Sequence, residues 1–347
     1  MRHYIGLDVS MKAISVCIME EGGKVVLEKD IAACPKAVLV IIKEYRSDCL
    51  VGLEAGSTSS WLYHELEKEG LSVVCLETHH ARKVMSAQPV KNDRNDAKGL
   101  AQLLRTGWYK AVHVKAYATQ EIKAWIEARE LVKHKRQDIK NAIRGLVKPF
   151  GIIFPSGSGA SWIVAVKERL SVEREGLTAL ISPLLEVYRT LCSELEKYTK
   201  FIESYAREDE VCRRLQSIDG IGPINAVAFT VVIEDPERFA SNRAVGAYLG
   251  LTPRVYASGE TERRGHITCA GSSMMRALLF EAAKSLLSRS KKLSSLKSWG
   301  MQLCKRKPTK LVVAALARKL AIVMIALWKN GTTFQLTKEK IAEVLAG

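Results

Sequence analysis

Four carboxylates in the first hundred residues could hold a metal ion. Asp8 ends the apolar, strand-like run "YIGLD", and Glu54 lies near the end of a second such run, "CLVGLEA". A carboxylate inside a buried strand is costly unless it is paired or binds a metal ion. Asp93 and Asp96 lie three residues apart at the start of a helical pattern, so they share one helix face. Two like charges on one face repel each other unless a cation lies between them.

Each of these carboxylates also has an ordinary structural explanation. Asp8 could bond to the backbone at a strand end, and Glu54 could pair with an arginine. Asp93 and Asp96 could complement the dipole of a helix in its first turn. Taken together, four oxygen ligands are typical of a site for a hard divalent cation, Mg²⁺ or Mn²⁺. Two such ions about 4 Å apart would activate an attacking oxygen and stabilise a leaving oxygen in phosphoryl transfer.

The hydroxyl-rich segment "LTPRVYASGETERRGHITCAGSSMMRALL", residues 251–279, is a second candidate for chemistry. A serine hydroxyl is a poor nucleophile until a base or a metal ion lowers its pKa. Arg254, Arg263 and Arg264 could neutralise phosphate charge. The residues alone leave two interpretations open: one hydroxyl attacks a substrate, or the segment only binds phosphates. The five hydroxyls belong to Ser258, Thr261, Thr268, Ser272 and Ser273.

Two features upstream and downstream of this segment favour nucleic acid as a partner. "SIDGIGPINAVAF" has the form of a helix-hairpin-helix turn, in which Gly220 and Gly222 let backbone amides approach a phosphate. A tight turn between two helices would need the same glycines, and the acidic Asp219 disfavours an anion. From Lys284 to Lys319 there are eleven Lys or Arg and no acidic residue. This basic run, which is either a solvated face or a nucleic-acid contact, includes Lys305, Arg306 and Lys307.

Composition agrees with a polyanionic partner and argues against several other classes. The chain has 53 Lys and Arg against 37 Asp and Glu, a formal net charge of +16. Such an excess favours nucleic acid through counterion release. The start of the chain has no secretion signal pattern, and the apolar "LVVAALARKLAIVMIALW" is interrupted by Arg318 and Lys319, which favours a buried helix over a membrane span. The eight cysteines form no C-x-x-C pair, so we expect reduced thiols and a cytoplasmic protein.

The elements that must position these residues fall into three predicted domains. Residues 1–115 show the order β-β-β-α-β-α-β-α, which predicts an α/β domain with a mixed sheet. Residues 116–207 predict two long helices around a Gly/Ser turn, a coiled-coil-like hairpin for self-association or spacing. One face of its first helix is basic and includes Lys133 and Lys140. Residues 208–347 predict a mainly α domain with the glycine turn and the hydroxyl segment, in which Ser272 or Ser273 caps the next helix.

Several stretches of the chain resemble one known family. "YIGLDVS", "LEAGST" and "KNDRNDAKGLA" have the order and spacing of the DEDD transposases of the IS110 family. "LGLTPRVYASG" is similar to the family pattern A-G-L-T-P-R-x-Y-x-S-G. The chain departs from the family at Leu249, where alanine is commoner, at Asp219, where proline precedes G-I-G, and at Cys269, which replaces a lysine. The resemblance extends over nearly the whole chain.

The resemblance implies a role for each of these residues. Asp8, Glu54, Asp93 and Asp96 become a metal-binding tetrad in a RuvC-like, RNase H-like domain. Ser258 becomes the nucleophile that forms a covalent phosphoserine link with DNA, and Thr268 becomes a helix cap or a phosphate contact. Members of the family use a structured guide RNA, so RNA is implied as a partner beside the DNA of the element ends and the target. Since tetrad and serine lie in different domains, they could come from different protomers of a homo-oligomer, a dimer or a tetramer.

We therefore expect a DNA transposase or recombinase that excises and inserts its own mobile element by strand exchange, acting in the cytoplasm at the nucleoid, with no membrane partner. One alternative is a RuvC-like, Mg²⁺-dependent nuclease that cuts DNA structures with water. A second alternative is a non-catalytic nucleic-acid-binding protein with a decayed site. The four intact carboxylates argue against this second alternative.

Overall fold

Five strands form one mixed sheet in the first of two units, Met1–Ala116. The computed structural model describes residues 2–86, 92–172, 175–258, 261–291 and 294–334. The strands lie in the order β3-β2-β1-β4-β5. The first three form an antiparallel meander, and β4 and β5 join it in parallel with β1. Their bounds are β1 His3–Val9, β2 Ala13–Glu20, β3 Val25–Ala32, β4 Cys49–Glu54 and β5 Ser72–Leu76.

Helices cover both faces of this sheet. On one face, Ile5, Leu7 and Val51 pack with residues of α1 and α2. On the other face, Tyr4 and Leu50 pack with residues of α3 and α4, so the even-numbered residues of β1 and β4 face α4. The bounds are α1 Pro35–Ile41, α2 Ser59–Lys68, α3 Thr78–Met85 and α4 Asp93–Thr106, with a single 3₁₀ turn at Lys43–Tyr45.

The predicted order of the first unit lacks α3. This helix begins after Glu77, whose side chain accepts hydrogen bonds from the backbone N–H groups of His79 and His80. Ser, Thr, Asp and Asn are the preferred residues at this position, so a glutamate gives no clear start signal. The first predicted helix corresponds to α1, which ends at Ile41. The helix α4 is capped by Gly107, which has a left-handed conformation at φ 68°.

The second unit, Tyr117–Gly347, begins with three helices where the sequence predicts a hairpin of two. The bounds are α5 Tyr117–Val147, α6 Gly159–Ser171 and α7 Glu175–Glu208. The helices α5 and α7 run antiparallel: Trp125 near the start of α5 stacks on Phe201 near the end of α7, with ring centroids 3.8 Å apart. Apolar residues of α6, including Trp162, pack against the other end of this pair.

The sequence places Lys140 on the basic face of α5, but in the structure this residue is buried. Its side chain is 8% exposed, its ammonium lies 5.2 Å from the ring centroid of Trp162, and it donates a hydrogen bond to the carbonyl of Gly157. Burial lowers the pKa of this amine, and the neighbouring Arg144 and Arg136 lower it further. The amphipathic pattern of α5 could not reveal this, because the partner Trp162 belongs to α6.

The rest of the second unit packs around two apolar helices, α9 and α13. By length and composition α13 could cross a membrane, but 67% of its most apolar window is buried inside the protein. Leu316, Leu320 and Met324 are fully buried. These are the properties of a core helix. The bounds are α8 Glu210–Leu215, α9 Pro223–Ile233, α10 Ala244–Tyr248, α11 Ser273–Ser288, α12 Ser295–Cys304 and α13 Thr309–Asn330.

The hydroxyl segment forms a β-hairpin that was not predicted. Strand β6, Pro253–Ser258, pairs antiparallel with β7, Thr261–Ile267. The glycines and charged residues of this segment give no alternation of apolar and polar residues, which is the usual signal for a strand. The eight cysteines form no disulfide, and all of them lie within the described residues.

Candidate active site and nucleic-acid contacts

Two neighbouring glycines bring α4 directly onto the sheet. Gly6 of β1 and Gly52 of β4 are register partners. A Cβ atom at Gly6 would lie 2.0 Å from the carbonyl oxygen of Ala97 and 2.6 Å from the amide nitrogen of Ala101. A Cβ atom at Gly52 would lie 2.6 Å from a methyl group of Leu104. The backbone of α4 therefore rests on the backbone of β1, which only glycine permits.

This contact brings the first turn of α4 to the carboxyl ends of β1 and β4. Side chains two residues apart on a strand share a face, so Asp8 and Glu54 face α4 together with Gly6 and Gly52. Later residues of α4 pack near the starts of both strands, beside Tyr4 and Leu50. The helix therefore runs antiparallel to β1. Its first turn, which carries Asp93 and Asp96, lies at the strand ends that carry Asp8 and Glu54.

Adjacent strands lie about 4.8 Å apart, which sets the backbone spacing between Asp8 and Glu54. Asp8, Glu54 and Asp96 are partly buried, and Asp93 is exposed. Across the described parts of the chain, no three His, Cys, Asp or Glu side chains lie close enough together to hold a metal ion. The backbones of the four carboxylates are thus gathered at one end of the sheet, while their side chains are not arranged as a complete ligand set.

Glu54 makes a contact that a metal ion would have to replace. Its carboxylate Oε1 lies 3.3 Å from Nε of Arg82, a residue of α3 that is 69% exposed. The hydroxyl of Thr78 at the start of α3 donates to the carbonyl of Ala55, 2.8 Å away, which fixes the helix behind the end of β4. Pairing of Glu54 with an arginine was one of the structural explanations open from the sequence. Because α3 was not predicted, the sequence did not identify Arg82.

A further acidic residue, Asp30, lies on the same face of the sheet as Asp8 and Glu54 and was not predicted from the sequence. Asp8 is the register partner of Ser15, and Ser15 is the register partner of Asp30, so the three form a row across β1, β2 and β3. The Ser15 hydroxyl donates to Asp30 Oδ1 at 2.7 Å. Arg94 donates to Asp30 Oδ2 from Nε at 3.1 Å and from a terminal nitrogen at 2.8 Å. Since Arg94 lies between Asp93 and Asp96, this ion pair ties the first turn of α4 to β3.

The pairing between Asp30 and Arg94 predicts a pH dependence of stability. Hydrogen bonds from Arg94 and Ser15 lower the pKa of Asp30 below its usual 3.8, so the ionised form stabilises the folded protein above pH 3.8. That contribution is lost as the pH falls below 3.8 through the lower folded pKa. We expect the melting temperature of the wild type to exceed that of Asp30→Asn at neutral pH, with a difference that shrinks below pH 3.8. An unchanged difference across this range, measured by circular dichroism, would contradict the pairing.

Ser258 is the last residue of β6, and its backbone pairs with Thr261 across the hairpin. The structure does not describe residues 259–260, nor the side chains of Ser258 and Arg264. Arg254 and Arg263 are exposed on the hairpin, and a terminal nitrogen of Arg254 donates to the carbonyl of Thr268 at 3.4 Å. Arg254 of β6 and Arg263 of β7 are therefore exposed to solvent on the hairpin that carries Ser258.

Two of the other hydroxyls of the segment have distinct environments: one caps a helix and the other is buried. Ser272 caps α11, since its hydroxyl accepts a hydrogen bond from the backbone N–H of Met275 at 3.2 Å. The sequence left open whether Ser272 or Ser273 caps this helix, and in the structure the cap is Ser272. The Thr268 hydroxyl is buried, and no hydrogen-bond partner for it exists among the described residues. Thr268 does not cap α11, so its phosphate contact stays a prediction.

The glycine turn joins α8 to α9, but its two glycines differ. Gly220 has a φ of 89°, and a Cβ atom there would lie 2.9 Å from the carbonyl oxygen of Ala282 in α11. Gly222 caps α9, and no atom lies within 4 Å of the position of its Cβ. Asp219 accepts a hydrogen bond from the hydroxyl of Ser290 at 3.0 Å. Packing alone therefore explains Gly220, whereas the backbone at Gly222 is open to a ligand. Lys305, Arg306 and Lys307 are exposed between α12 and α13.

Comparison with known proteins gives consistent matches over both units. A family model described as "Transposase IS116/IS110/IS902 family" matches residues 212–297, and the model for the DEDD transposases of the IS110 group, described as "Transposase", matches residues 5–152. "Transposase for insertion sequence element IS1111A" of Coxiella burnetii is 26% identical over 336 residues, covering 95% of this chain and 91% of the relative. "Probable family 20 transposase" of Pseudomonas aeruginosa is 26% identical over 336 residues, covering 95% of this chain and 98% of the relative.

The two family matches together span more than half of the chain. The match over residues 5–152 includes the four carboxylates and both glycines beneath α4. The match over residues 212–297 includes the glycine turn, the hairpin with Ser258 and the cap of α11. Every residue of the candidate site, apart from the basic turn after α12, thus lies inside a matched region.

Proposed function

Because the chain belongs to the IS110 family of transposases, we propose that it excises and inserts a mobile DNA element by exchanging DNA strands. The observation that supports this most strongly is the contact of α4 with Gly6, since it gathers the backbones of four carboxylates at one end of the sheet. A five-stranded mixed sheet with this site at the carboxyl ends of its inner strands β1 and β4 agrees with an RNase H-like interpretation of residues 1–115.

The carboxylates would hold the divalent metal on which DEDD transposases generally depend. Asp8, Glu54, Asp93 and Asp96 supply oxygen donors, which Mg²⁺ and Mn²⁺ prefer. When bound, the metal would neutralise charge on a reacting phosphate and favour the ionised form of an attacking hydroxyl. Glu54 would exchange its contact with Arg82 for the metal. The guanidinium of Arg82 would then be free to bind a phosphate of the DNA.

Ser258 would supply the covalent step. Its hydroxyl oxygen forms a bond to phosphorus of a DNA phosphodiester, while the bond from phosphorus to a sugar oxygen breaks. The serine proton passes to a general base, and the departing sugar oxygen takes up a proton. A sugar hydroxyl of another strand then attacks the phosphoserine and releases the serine, so the number of phosphodiester bonds is conserved. Arg254, Arg263 and Arg264 would neutralise charge on the phosphates near the reacting one.

The remaining partners belong to the same proposal. The element ends and the target are DNA, and a structured guide RNA would select them. Phosphates would be contacted by three exposed basic residues, Lys305, Arg306 and Lys307. Further phosphate contacts would come from Thr268 and from the open backbone at Gly222. We propose three domains, residues 1–115, 116–207 and 208–347, and a homo-oligomer in the cytoplasm at the nucleoid.

A strand-exchange reaction tests the proposal against its two alternatives. Purified protein, guide RNA, donor DNA and target DNA are incubated with Mg²⁺ and analysed for recombinant DNA and for a protease-sensitive protein–DNA adduct. Recombinant DNA together with the adduct supports a transposase with a serine nucleophile. Cleavage without an adduct indicates a nuclease that uses water. Binding without cleavage indicates a nucleic-acid-binding protein.

A metal-binding measurement tests the carboxylates without relying on activity. We expect Asp8→Asn to weaken Mn²⁺ binding by about tenfold or more in calorimetry, because a carboxylate ligand is lost. The matched control is Asp48→Asn, which removes the same charge just before β4, at the opposite end of the sheet. An equal loss of affinity in both variants would show that only general charge matters and would refute the assignment.

A further inference from the structure

A cavity of about 650 Å³ opens at the base of the β6–β7 hairpin. Pro253 and Ile267, the first residue pair of the hairpin, line one side. Helices α12 and α13 form the opposite side, with Trp299, Ala315 and Ile322 among the lining residues. The volume falls within the range of roughly 300–1,000 Å³ that is usual for pockets binding small molecules.

The walls of the cavity combine apolar surface with positive charge. Leu251, Ile267 and Ile322 supply aliphatic surface and Trp299 supplies an aromatic ring. Arg318 and Lys319 of α13 also line the cavity, and none of its described lining residues is acidic. A bare inorganic anion would leave the apolar walls in contact with water. The cavity therefore suits a ligand that has both a negative charge and an apolar part.

The two cations of α13 that line the cavity, Arg318 and Lys319, are poorly compensated by the protein itself. The Nε of Arg318 is buried without a hydrogen-bond partner among the described residues, and its side chain passes within 3.0 Å of the Cβ position of Gly246. The ammonium of Lys319 lies 4.3 Å from the ring centroid of Trp299, and burial lowers its pKa. Buried donors in folded proteins are nearly always satisfied, so Arg318 lacks an acceptor that a ligand can provide.

We propose that this cavity binds one unpaired nucleotide of a nucleic-acid strand. The base packs against Trp299 and the aliphatic walls, as unpaired bases do on aromatic and apolar side chains. Its phosphate accepts hydrogen bonds from Arg318 and Lys319. A paired base offers a protein only its edge in a groove, whereas an unpaired base offers a face that fits this surface.

The position of the cavity relates it to the proposed reaction of Ser258. In this respect the inference rests on the proposed function. Strand β6 runs from Pro253 at the cavity to Ser258, five residues further on. At about 3.3 Å per residue, the cavity lies roughly 17 Å along the strand from the backbone of Ser258. A nucleotide held there would anchor a strand a few nucleotides from the phosphate that Ser258 attacks.

Equilibrium binding of fluorescent oligonucleotides to the full-length protein tests the proposal. The probes are single-stranded DNA and single-stranded RNA of about ten nucleotides and a DNA duplex of the same length. Ala315→Phe fills the cavity without a change of charge, and Lys319→Gln removes a cavity charge. Lys310→Gln is the matched control, because Lys310 is an exposed residue of the same helix outside the cavity.

We expect Ala315→Phe and Lys319→Gln each to weaken single-strand binding by about tenfold, the size of one lost stacking contact, with little change in duplex binding. A loss confined to DNA assigns the nucleotide to the element or the target, and a loss confined to RNA assigns it to the guide. Equal effects of Lys319→Gln and Lys310→Gln, or an unchanged affinity in Ala315→Phe, would overturn the proposal. An unchanged circular dichroism spectrum shows that a variant is folded.

The outcome is separable from that of the proposed function. If the wild type forms no adduct with DNA but Ala315→Phe still weakens single-strand binding selectively, the covalent step fails and the nucleotide site stands. If the adduct forms and Ala315→Phe leaves single-strand binding unchanged, the nucleotide site fails and the covalent step stands.

Discussion

Ser258→Ala is expected to abolish the protein–DNA adduct and to reduce strand exchange by about a thousandfold or more, because no other group replaces a lost covalent nucleophile. The adduct is measured on denaturing gels before and after protease treatment. Binding of the same DNA should change little, since a hydroxyl adds little to the affinity of a strongly basic protein.

The control for Ser258 is Ser272, another serine of the same hydroxyl segment. Ser272→Ala removes the hydroxyl that caps α11, which should cost about 1 kcal/mol of stability while the adduct still forms. A Ser258→Ala protein that still forms the adduct would exclude this serine as the nucleophile. If Ser272→Ala instead eliminated the adduct at a temperature where it is folded, the nucleophile would have to be sought at Ser272.

Gly6→Ala is expected to have the second large effect, although it adds a single methyl group. The new Cβ would lie 2.0 Å from the carbonyl oxygen of Ala97, so α4 must move away from β1. Overpacking of this kind costs about 1–3 kcal/mol and sometimes more, and we expect the upper end, since backbone cannot rotate out of the way. Urea unfolding measures the loss of stability, and Mn²⁺ binding measures the displacement of the carboxylates of α4.

Two other glycines of the same unit provide graded controls. Gly52→Ala meets only the flexible side chain of Leu104, so we expect a smaller loss than for Gly6→Ala. Gly22→Ala meets nothing within 4 Å and should stay within about 0.5 kcal/mol of the wild type. Equal effects at all three positions would contradict a specific seat for α4 at Gly6.

The sequence predicts the sheet of the first unit well, because each strand is a short apolar run bounded by turn residues. The three β-strands of the meander, β4 and β5 all occur where the pattern places them. The helix α3 is missed because its cap is Glu77, and α6 is missed because glycines and serines precede it. The β6–β7 hairpin is missed because its strands lack alternation.

The candidate site is predictable in its residue types and not in its contacts. Asp8 and Glu54 are conspicuous in the sequence, since acids are unusual in apolar strands. Asp30 is not conspicuous, because its importance arises from a register that joins it to Ser15 and from an ion pair with Arg94. The pairing of Glu54 with Arg82 likewise depends on a residue 28 positions further along the chain, in a helix that was not predicted.

The backbone contact between α4 and Gly6 also determines which residues of this helix can be substituted freely. Because this contact joins two backbones, the distance of α4 from the sheet does not depend on the side-chain rotamers of its solvent-exposed residues. Lys98 and Gln102 lie on that exposed side. A spectroscopic label attached at either position would report on movement of α4 during DNA binding and leave its contact with Gly6 unchanged.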